Sequence, residues 1–339
     1  MTRKWCTAPT KIAKPEDILI SVRAPIGAMN YAKEECCIGR GLAALTPDKT
    51  KVSSEFIFWL LKGKNDELNS KGTGSTFKAI GRKVLEETLV PDIRLETQIE
   101  CSEILEKVYS VIQSRKHELQ KLDELIKARF VELFDDPIRS DKFGCVKVEN
   151  CVVNKNDMVD GPFGSQVDTK VDYIENGEIP VIRTVNVKMM QFSPSDLKYM
   201  TREKYESVIR SQVLPGDIIL TKVGTIGNVC IFPDEYDEAV LSTTGSCRIR
   251  VDESKMNKVF FAYNLMYLKP RLLEIASAGV QPFLNMKHVK NIEVLNAPIE
   301  LQNQFAAFVE LTDKSKVEVQ KALHKAQMLF DSLMQQYFG

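Results

Sequence analysis

The chain repeats one sequence pattern at an interval of about 200 residues. Residues 16–22 (Glu-Asp-Ile-Leu-Ile-Ser-Val) and 25–27 (Pro-Ile-Gly) correspond to residues 216–223 (Gly-Asp-Ile-Ile-Leu-Thr-Lys-Val) and 225–227 (Thr-Ile-Gly). Each copy continues through a Gly- and Ser/Thr-rich loop and a Pro-containing segment into a long helical pattern. Solenoid repeats are far shorter than this interval. The pattern therefore indicates a duplicated domain, and a protein with two similar domains usually engages two similar ligands.

Two segments, residues 96–136 and 300–339, predict long helices that pair with each other. In both, apolar residues recur at alternating steps of three and four, which is typical of a coiled-coil seam. One helix cannot bury such a narrow stripe alone, and a whole domain lies between the two segments, so we expect an antiparallel pair. The predicted seam residues are Leu105, Val108, Ile112, Leu119, Leu122, Ile126, Leu133, Phe305, Phe308, Val319, Leu329 and Leu333.

The remaining sequence predicts mixed α+β domains, because strand patterns do not alternate regularly with helix patterns. Strands are predicted at 217–223, 229–232 and 247–251, and helices at 55–61 and 259–268. The second copy has a much longer stretch before its Gly-Asp-Ile strand, so the first copy is predicted to lack its opening half. The predicted segments are a partial first domain at 1–95, a helix at 96–136, a second domain at 137–299 and a helix at 300–339.

Composition narrows the classes of function. The formal net charge is zero, which is not the basic footprint of a protein that grips DNA by charge alone. Basic residues are in excess in 1–95 and acidic residues in 96–136. No apolar run is long enough for a membrane span, and the N-terminus lacks the apolar core of a signal peptide. The eight Cys form no C-x-x-C pair, so we expect reduced thiols, no metal site and a cytoplasmic protein.

Loops in both copies carry side chains suited to contacts with DNA. Gln and Asn can pair bidentately with adenine, and Lys can reach phosphate or guanine. The alternative for each loop is a solvated surface, and the sequence leaves both open. The candidate DNA-binding residues are Arg23, Arg40, Ser75, Thr76, Lys78, Arg82, Ser165, Gln166, Lys222, Thr225, Gln281, Asn285 and Lys287.

Another alternative is a metal-dependent nuclease. Asp234, Glu253 and Lys255 follow the acidic-acidic-basic order in which carboxylates hold Mg²⁺ and a lysine assists the attacking water. The order is loose, and the first copy has no equivalent. Residues 161–165 (Gly-Pro-Phe-Gly-Ser) lack the Gly-Lys-Ser/Thr ending of a phosphate-binding loop, which argues against nucleotide binding.

The combined pattern resembles the specificity subunit of type I restriction-modification systems. The residues that carry the resemblance are 16–27, 37–44, 129–137 at the exit of the first helix, and 216–227. The resemblance extends over essentially the whole chain and implies a non-catalytic subunit that binds double-stranded DNA. Each recognition domain would read one half of a split target, and the paired helices would set the spacer and carry two methyltransferase subunits.

The same resemblance implies that cofactors belong to partner subunits. S-adenosylmethionine would serve the methyltransferase subunits, and ATP with Mg²⁺ would serve the motor-nuclease restriction subunits. The short first domain departs from the family pattern. Two alternatives therefore stay open for this chain. It is a truncated silent cassette without activity, or its first domain is completed by a separate fragment.

Overall fold

The structure is a computed structural model that describes residues 7–74, 78–136, 138, 142–277 and 282–339. Its contacts divide the chain into two compact units, the first formed by residues 1–120 with 316–339 and the second by residues 121–315. Each unit therefore contains one copy of the repeat together with a part of each long helix.

The first unit packs short strands against short helices. Its elements are, in chain order, β1 (Ile12–Ala13), β2 (Ile18–Ser21), β3 (Met29–Tyr31), β4 (Cys36–Cys37), β5 (Leu42–Leu45), α1 (Ser54–Gly63), α2 (Asn65–Ser70), α3 (Arg82–Glu86) and the long helix α4 (Leu95–Phe134). The strand β2 lies between β3 and β5 in an antiparallel sheet. Its buried Ile18 and Ile20 pack in one cluster with Leu60 and Leu61 of α1.

The second unit has a larger set of strands. Its elements are β6 (Cys145–Lys147), β7 (Met158–Asp160), β8 (Ile179–Ile182), β9 (Val187–Lys188), β10 (Gln191–Phe192), β11 (Lys198–Met200), α5 (Arg202–Ser207), β12 (Gln212–Val213), β13 (Ile218–Thr221), β14 (Val229–Ile231), β15 (Ala239–Leu241), β16 (Ser246–Ile249), α6 (Lys258–Tyr267), α7 (Lys269–Ala276), α8 (Met286–Lys290), β17 (Glu293–Leu295) and the long helix α9 (Ile299–Phe338). The predicted strands at 217–223, 229–232 and 247–251 are confirmed as β13, β14 and β16.

Two four-stranded sheets form the middle of the second unit. One has the order β14-β13-β16-β7 and is antiparallel throughout. The other has the order β11-β8-β15-β12, in which β8 and β15 are parallel. A separate antiparallel ladder joins β17 to β6. The elements β12–β16 and α6–α8 follow the order of β1–β5 and α1–α3, whereas β6–β11 have no counterpart among the described residues of the first unit.

In each unit, the parts of the long helices α4 and α9 that belong to it pack against each other. In the first unit, Leu105 and Ile112 of α4 cluster with Phe330 of α9. In the second unit, Phe130 of α4 packs against Phe305 of α9, with ring centroids 5.3 Å apart. Early residues of one helix thus meet late residues of the other, which confirms the antiparallel pairing. Among the described residues, no helix combines the length and apolarity needed to cross a bilayer.

Most predicted seam residues face inward, but Leu329 does not. It is 51% exposed, and its neighbour Phe330 is buried in its place. The prediction was wrong by one residue because a strict heptad assumes 3.5 residues per turn, whereas a helix of 3.6 residues drifts out of that phase. The buried seam residues are Leu105, Ile112, Ile126, Phe305 and Val319, and the half-buried ones are Val108, Leu119, Leu122, Leu133, Phe308 and Leu333.

A buried glutamine fastens each globular part to its long helix. In the first unit the Gln98 side chain accepts the Ser53 amide (3.0 Å) and donates to the Ile93 carbonyl (2.9 Å). In the second unit Gln302 accepts the Asn257 amide (2.8 Å) and donates to a carbonyl in the same way. Ser53 and Asn257 also cap α1 and α6. One side chain therefore fixes the start of a core helix against the long helix in both copies.

Candidate nucleic-acid interface

Several loops of the second unit meet where β13 ends. The amide of Lys222 donates to the carbonyl of Gly245 (2.8 Å), in the loop between β15 and β16. The carbonyl of Lys222 accepts the amide of Leu284 (2.9 Å), just before α8. These two bonds hold the loop 222–228, the loop 242–245 and the start of α8 together at one end of the sheet.

The loop that follows β7 joins the same group. Gly161 approaches Thr243 so closely that an added Cβ would lie 2.1 Å from the Thr243 carbonyl oxygen. The amide of Gln166 donates to the Phe163 carbonyl (2.8 Å), and the Gln166 side chain accepts the Phe163 amide (3.0 Å). This closed turn leaves Ser165 exposed and Phe163 57% exposed at its tip. We define the loop cluster as residues 161–166, 222–228, 242–245 and 282–288.

Lys222 is the main correction to the predicted contacts. Its side chain is only 4% exposed and forms an ion pair with Asp160 at the end of β7. A buried ammonium group requires a carboxylate or hydrogen-bond acceptors, and Asp160 supplies that partner. Lys222 therefore joins the β7 loop to β13 from inside the loop cluster, and its ammonium group does not lie at the surface.

The start of α8 carries basic side chains at the edge of the loop cluster. Asn285 caps this helix, because its side chain accepts the amide of His288 (2.8 Å). That bond uses one of the two lone pairs of the oxygen through which Asn285 would read adenine. Lys287 is exposed, and Lys290 lies in the same short helix. Thr225 is exposed in the loop between β13 and β14.

The first unit brings a smaller set of candidates together. The Ala24 amide donates to the Lys78 carbonyl (3.0 Å), which places the exposed Arg23 next to the exposed Lys78. Arg82 is exposed but paired with Glu86 at 2.6 Å. The exposed Arg40 lies in the loop between β4 and β5. Three predicted residues, Ser75, Thr76 and Gln281, lie outside the described residues.

The nuclease alternative gains no support from the structure. Glu253 pairs with Lys258 at 3.2 Å, and Lys255 pairs with Asp252 at 3.0 Å. Within the described part of the chain, no group of three or more His, Cys, Asp or Glu side chains could hold a metal ion. Asp234, Glu253 and Lys255 therefore do not form the metal centre that the nuclease hypothesis requires.

Sequence reasoning missed two features of this region. Asp160 was not recognised as the partner of Lys222, because it lies 62 residues away and no local spacing links the two. Phe163 was considered only as part of the segment 161–165, which lacks the ending of a phosphate-binding loop, and its exposed ring was not predicted. The buried glutamines Gln98 and Gln302 were also missed as helix anchors, although they recur at corresponding positions and could have been found by aligning the two copies.

Comparison with known proteins finds a family model that matches most of the chain. The model of the type I restriction modification DNA specificity domain matches residues 7–124 and 152–326. The MjaX type I restriction enzyme specificity subunit of Methanocaldococcus jannaschii is 38% identical over 120 residues, 35% of this chain and 28% of that protein. The MjaIX specificity subunit of the same organism is 24% identical over 339 residues, 94% of this chain and 75% of that protein.

A solved structure has a similar fold. The S subunit of a type I restriction-modification system from M. genitalium superposes with a TM-score of 0.60 at 16% identity. The superposition covers 96% of this chain and 84% of that one. At this identity the likeness concerns the fold alone.

Proposed function

The chain belongs to the family of type I restriction modification DNA specificity domains, and on this premise we propose that it is the DNA-recognition subunit of a type I restriction-modification complex. The observation that carries the proposal is that the family match includes both copies of the repeat and most of both long helices. In this role the chain contributes sequence recognition and no catalytic group.

We propose that the loop cluster of the second unit reads one half of a bipartite target. The loops that meet at the end of β13 carry an exposed aromatic ring (Phe163), exposed hydroxyl groups (Ser165, Thr225) and an exposed ammonium group (Lys287). Phosphate contacts position a protein on DNA, and contacts to base edges supply specificity. Lys287 is suited to the first task, and the side chains of the β7 loop are suited to the second.

We propose that the long helices carry the partner subunits and set the spacer between half-sites. Helix pairs normally bury their apolar residues, yet both long helices keep large apolar side chains exposed outside the seam. These residues are Ile104, Val111 and Leu125 on α4, and Leu311, Val317 and Met328 on α9. Two methyltransferase subunits with S-adenosylmethionine would dock there, and restriction subunits with ATP and Mg²⁺ would join them. Since DNA is the proposed target, we propose that the complex acts in the cytoplasm.

The test is DNA binding by the complex purified with its methyltransferase subunits, measured by fluorescence anisotropy at several salt concentrations. A lysine that contacts phosphate contributes about one unit to the slope of log affinity against log salt. Lys287→Ala is expected to weaken binding and to reduce this slope by about one. The matched control is Lys255→Ala, because Lys255 is an exposed lysine beyond the end of β16 that lies away from the loop cluster, and it pairs with Asp252.

Lys255→Ala should leave both the affinity and the slope unchanged. Binding without salt dependence, or equal effects of the two substitutions, would contradict the assignment of the loop cluster to DNA. Absence of DNA binding by an intact complex would contradict the proposed function itself.

A further inference from the structure

A group of large apolar side chains is exposed in the second unit, in loops that follow β7, β8 and β13 and in the segment before α8. The group comprises Phe163, Val185, Val223 and Phe283, which are between 45% and 57% exposed. Phe163, Val223 and Phe283 belong to the loop cluster, and Val185 lies in the loop that follows β8. Apolar side chains scattered singly over a surface are ordinary, but a group of them at one place usually marks a binding site.

Backbone contacts bring the loop after β8 to the loop cluster. The strands β8 and β15 are parallel neighbours, and the Ser242 amide donates to the Ile182 carbonyl (2.9 Å), so the chain leaves both strands at the same end. A Cβ added to Gly245 would lie 3.1 Å from the Thr184 methyl carbon. The Gly245 carbonyl also accepts the amide of Val223 (3.2 Å). The exposed apolar side chains therefore lie at one end of the second unit.

The two exposed aromatic rings are held by buried neighbours. Pro162 and Val167 are buried on either side of the turn that carries Phe163. Leu284 is buried and follows Phe283 directly. Side chains held in this way lose little conformational freedom on binding, so more of their apolar contact area contributes to affinity.

The charge of these segments favours DNA as the occupant. Residues 161–166, 183–187, 222–228, 242–245 and 282–288 contain no Asp or Glu, although the chain has 46 acidic residues. The adjacent Asp160 is paired with Lys222, and Lys287 is exposed. Carboxylates would repel the phosphates of DNA, so a surface without them and with a cation beside it can approach a duplex closely.

The apolar group that bases present in the major groove is the 5-methyl group of thymine, and apolar side chains such as Phe contact it there. We propose that Phe163 and Phe283, together with Val185 and Val223, read thymine methyl groups in the half-site bound by the second unit. The proposal rests on the proposed function of the loop cluster and adds the identity of the bases that it contacts.

The experiment replaces thymine by deoxyuridine, which lacks only the 5-methyl group and keeps the base pairing. The complex with the methyltransferase subunits that the proposed function requires is bound to duplexes carrying the motif found by methylation mapping, and affinity is measured by fluorescence anisotropy. The thymines of one half of the motif are replaced at a time. Replacement in the half bound by the second unit is expected to weaken binding about threefold to fivefold for each contacted methyl group.

Two variants connect this loss to the exposed rings. Phe163→Ala and Phe283→Ala each remove one ring from the surface, and at least one of them should bind the thymine and deoxyuridine duplexes with nearly equal affinity. The control is Val153→Ala, because Val153 is also exposed but lines a cavity with Gly216, before β13 begins. This control should keep the full sensitivity to deoxyuridine.

The proposal is overturned if deoxyuridine changes the affinity in neither half, or if both Phe variants keep the full effect. A loss of affinity in Phe163→Ala without any effect of deoxyuridine would also overturn it, because the ring would then act as a wedge between base pairs. Each of these results leaves binding to the unmodified motif intact. Loss of that binding would instead overturn the proposed function, and this proposal with it.

Discussion

In the first repeat Asp17 accepts the Lys14 amide (2.8 Å) and the Thr46 hydroxyl (2.7 Å). In the second repeat Asp217 makes the same kind of bond to a backbone amide (2.7 Å), but its other partner is Arg250, which donates twice at 2.7 and 2.8 Å. The aspartate that shapes the turn before the central strand is therefore kept in both copies, while the charged partner is present only in the second.

The same difference recurs elsewhere in the two sheets. The second repeat has the cations Lys222, Arg248 and Arg250, and the first has Val22, Ala44 and Thr46 at the corresponding positions. Lys222 and Arg248 both bind groups in the opening half of the second unit. Both copies therefore share the aspartate before the central strand and the buried glutamine on the long helix. The buried cations Lys222 and Arg248 occur only in the copy that has the additional strands, and they bind groups in those strands or next to them.

The largest expected effect comes from breaking the buried pair in the second repeat. Lys222→Ala leaves Asp160 without its partner and should lower the free energy of unfolding of the second unit by about 3–5 kcal/mol. Urea denaturation followed by circular dichroism measures this loss. The double variant Lys222→Val with Asp160→Val copies the uncharged first repeat and should recover most of it. A loss below about 1 kcal/mol for the single variant would refute a structural role of the pair.

The glutamine anchors test whether the two copies share one design. Gln98→Ala and Gln302→Ala each leave buried backbone groups without partners and should cost about 1–3 kcal/mol. Amide exchange in α1 and α6 reports each unit separately. The exposed Gln320 on α9 provides the control, since Gln320→Ala should change neither helix. A large effect in one copy with none in the other would break the comparison.

One buried residue of the second repeat should be improved by copying the first. Asn264 in α6 is 0% exposed, and both polar atoms of its side chain lack hydrogen-bond partners. The corresponding residue in α1 is Leu60, which is also fully buried. Asn264→Leu should therefore raise the free energy of unfolding by about 1–2 kcal/mol and increase the melting temperature. The reciprocal Leu60→Asn should lower it, and a lower melting temperature for Asn264→Leu would contradict the assignment.

The smallest expected difference between the two repeats is in the reactivity of their thiols, and measuring it needs no substitution that changes stability. Burial raises the pKa of Cys230 and of Cys247 to about 12, whereas Cys37 in the first repeat is exposed. Only the thiolate reacts, so an aromatic disulfide reagent at pH 8 should label Cys37 quickly. Cys230 and Cys247 should react only after unfolding in urea. Rapid labelling of Cys247 in the folded chain would show that the sheet of the second unit is open.

Much of the fold follows from patterns that are local in the sequence. Helical periodicity places the long helices within two residues of the observed bounds, Leu95–Phe134 and Ile299–Phe338. The sequence repeat predicts that β2 and β13 are equivalent strands. The structure agrees, because Asp17 and Asp217 before these strands each accept a hydrogen bond from a backbone amide. These features are predictable because each depends on residues within a few turns or within one strand.

The loop cluster was less accessible to prediction, because it depends on contacts between distant segments. Lys222 looked like a surface cation at the end of a strand, and only the fold shows that Asp160 lies against it. Leu329 was placed in the seam by a strict heptad, and a drift of one residue puts Phe330 there. Whether a polar side chain reaches solvent depends on such packing, which residue spacing alone does not encode.

Mapping of methylated adenines tests DNA recognition most directly. The chain is expressed with the methyltransferase subunit that the proposed function requires, in a host without adenine methylation, beside the double variant Ser165→Ala with Lys287→Ala. We expect the unchanged chain to direct methylation to one bipartite motif. In the variant, one half of that motif should be degraded or altered and the other half should be unchanged. Methylation without a common motif, the same motif in both strains, or no methylation by an intact complex would contradict sequence recognition by this chain.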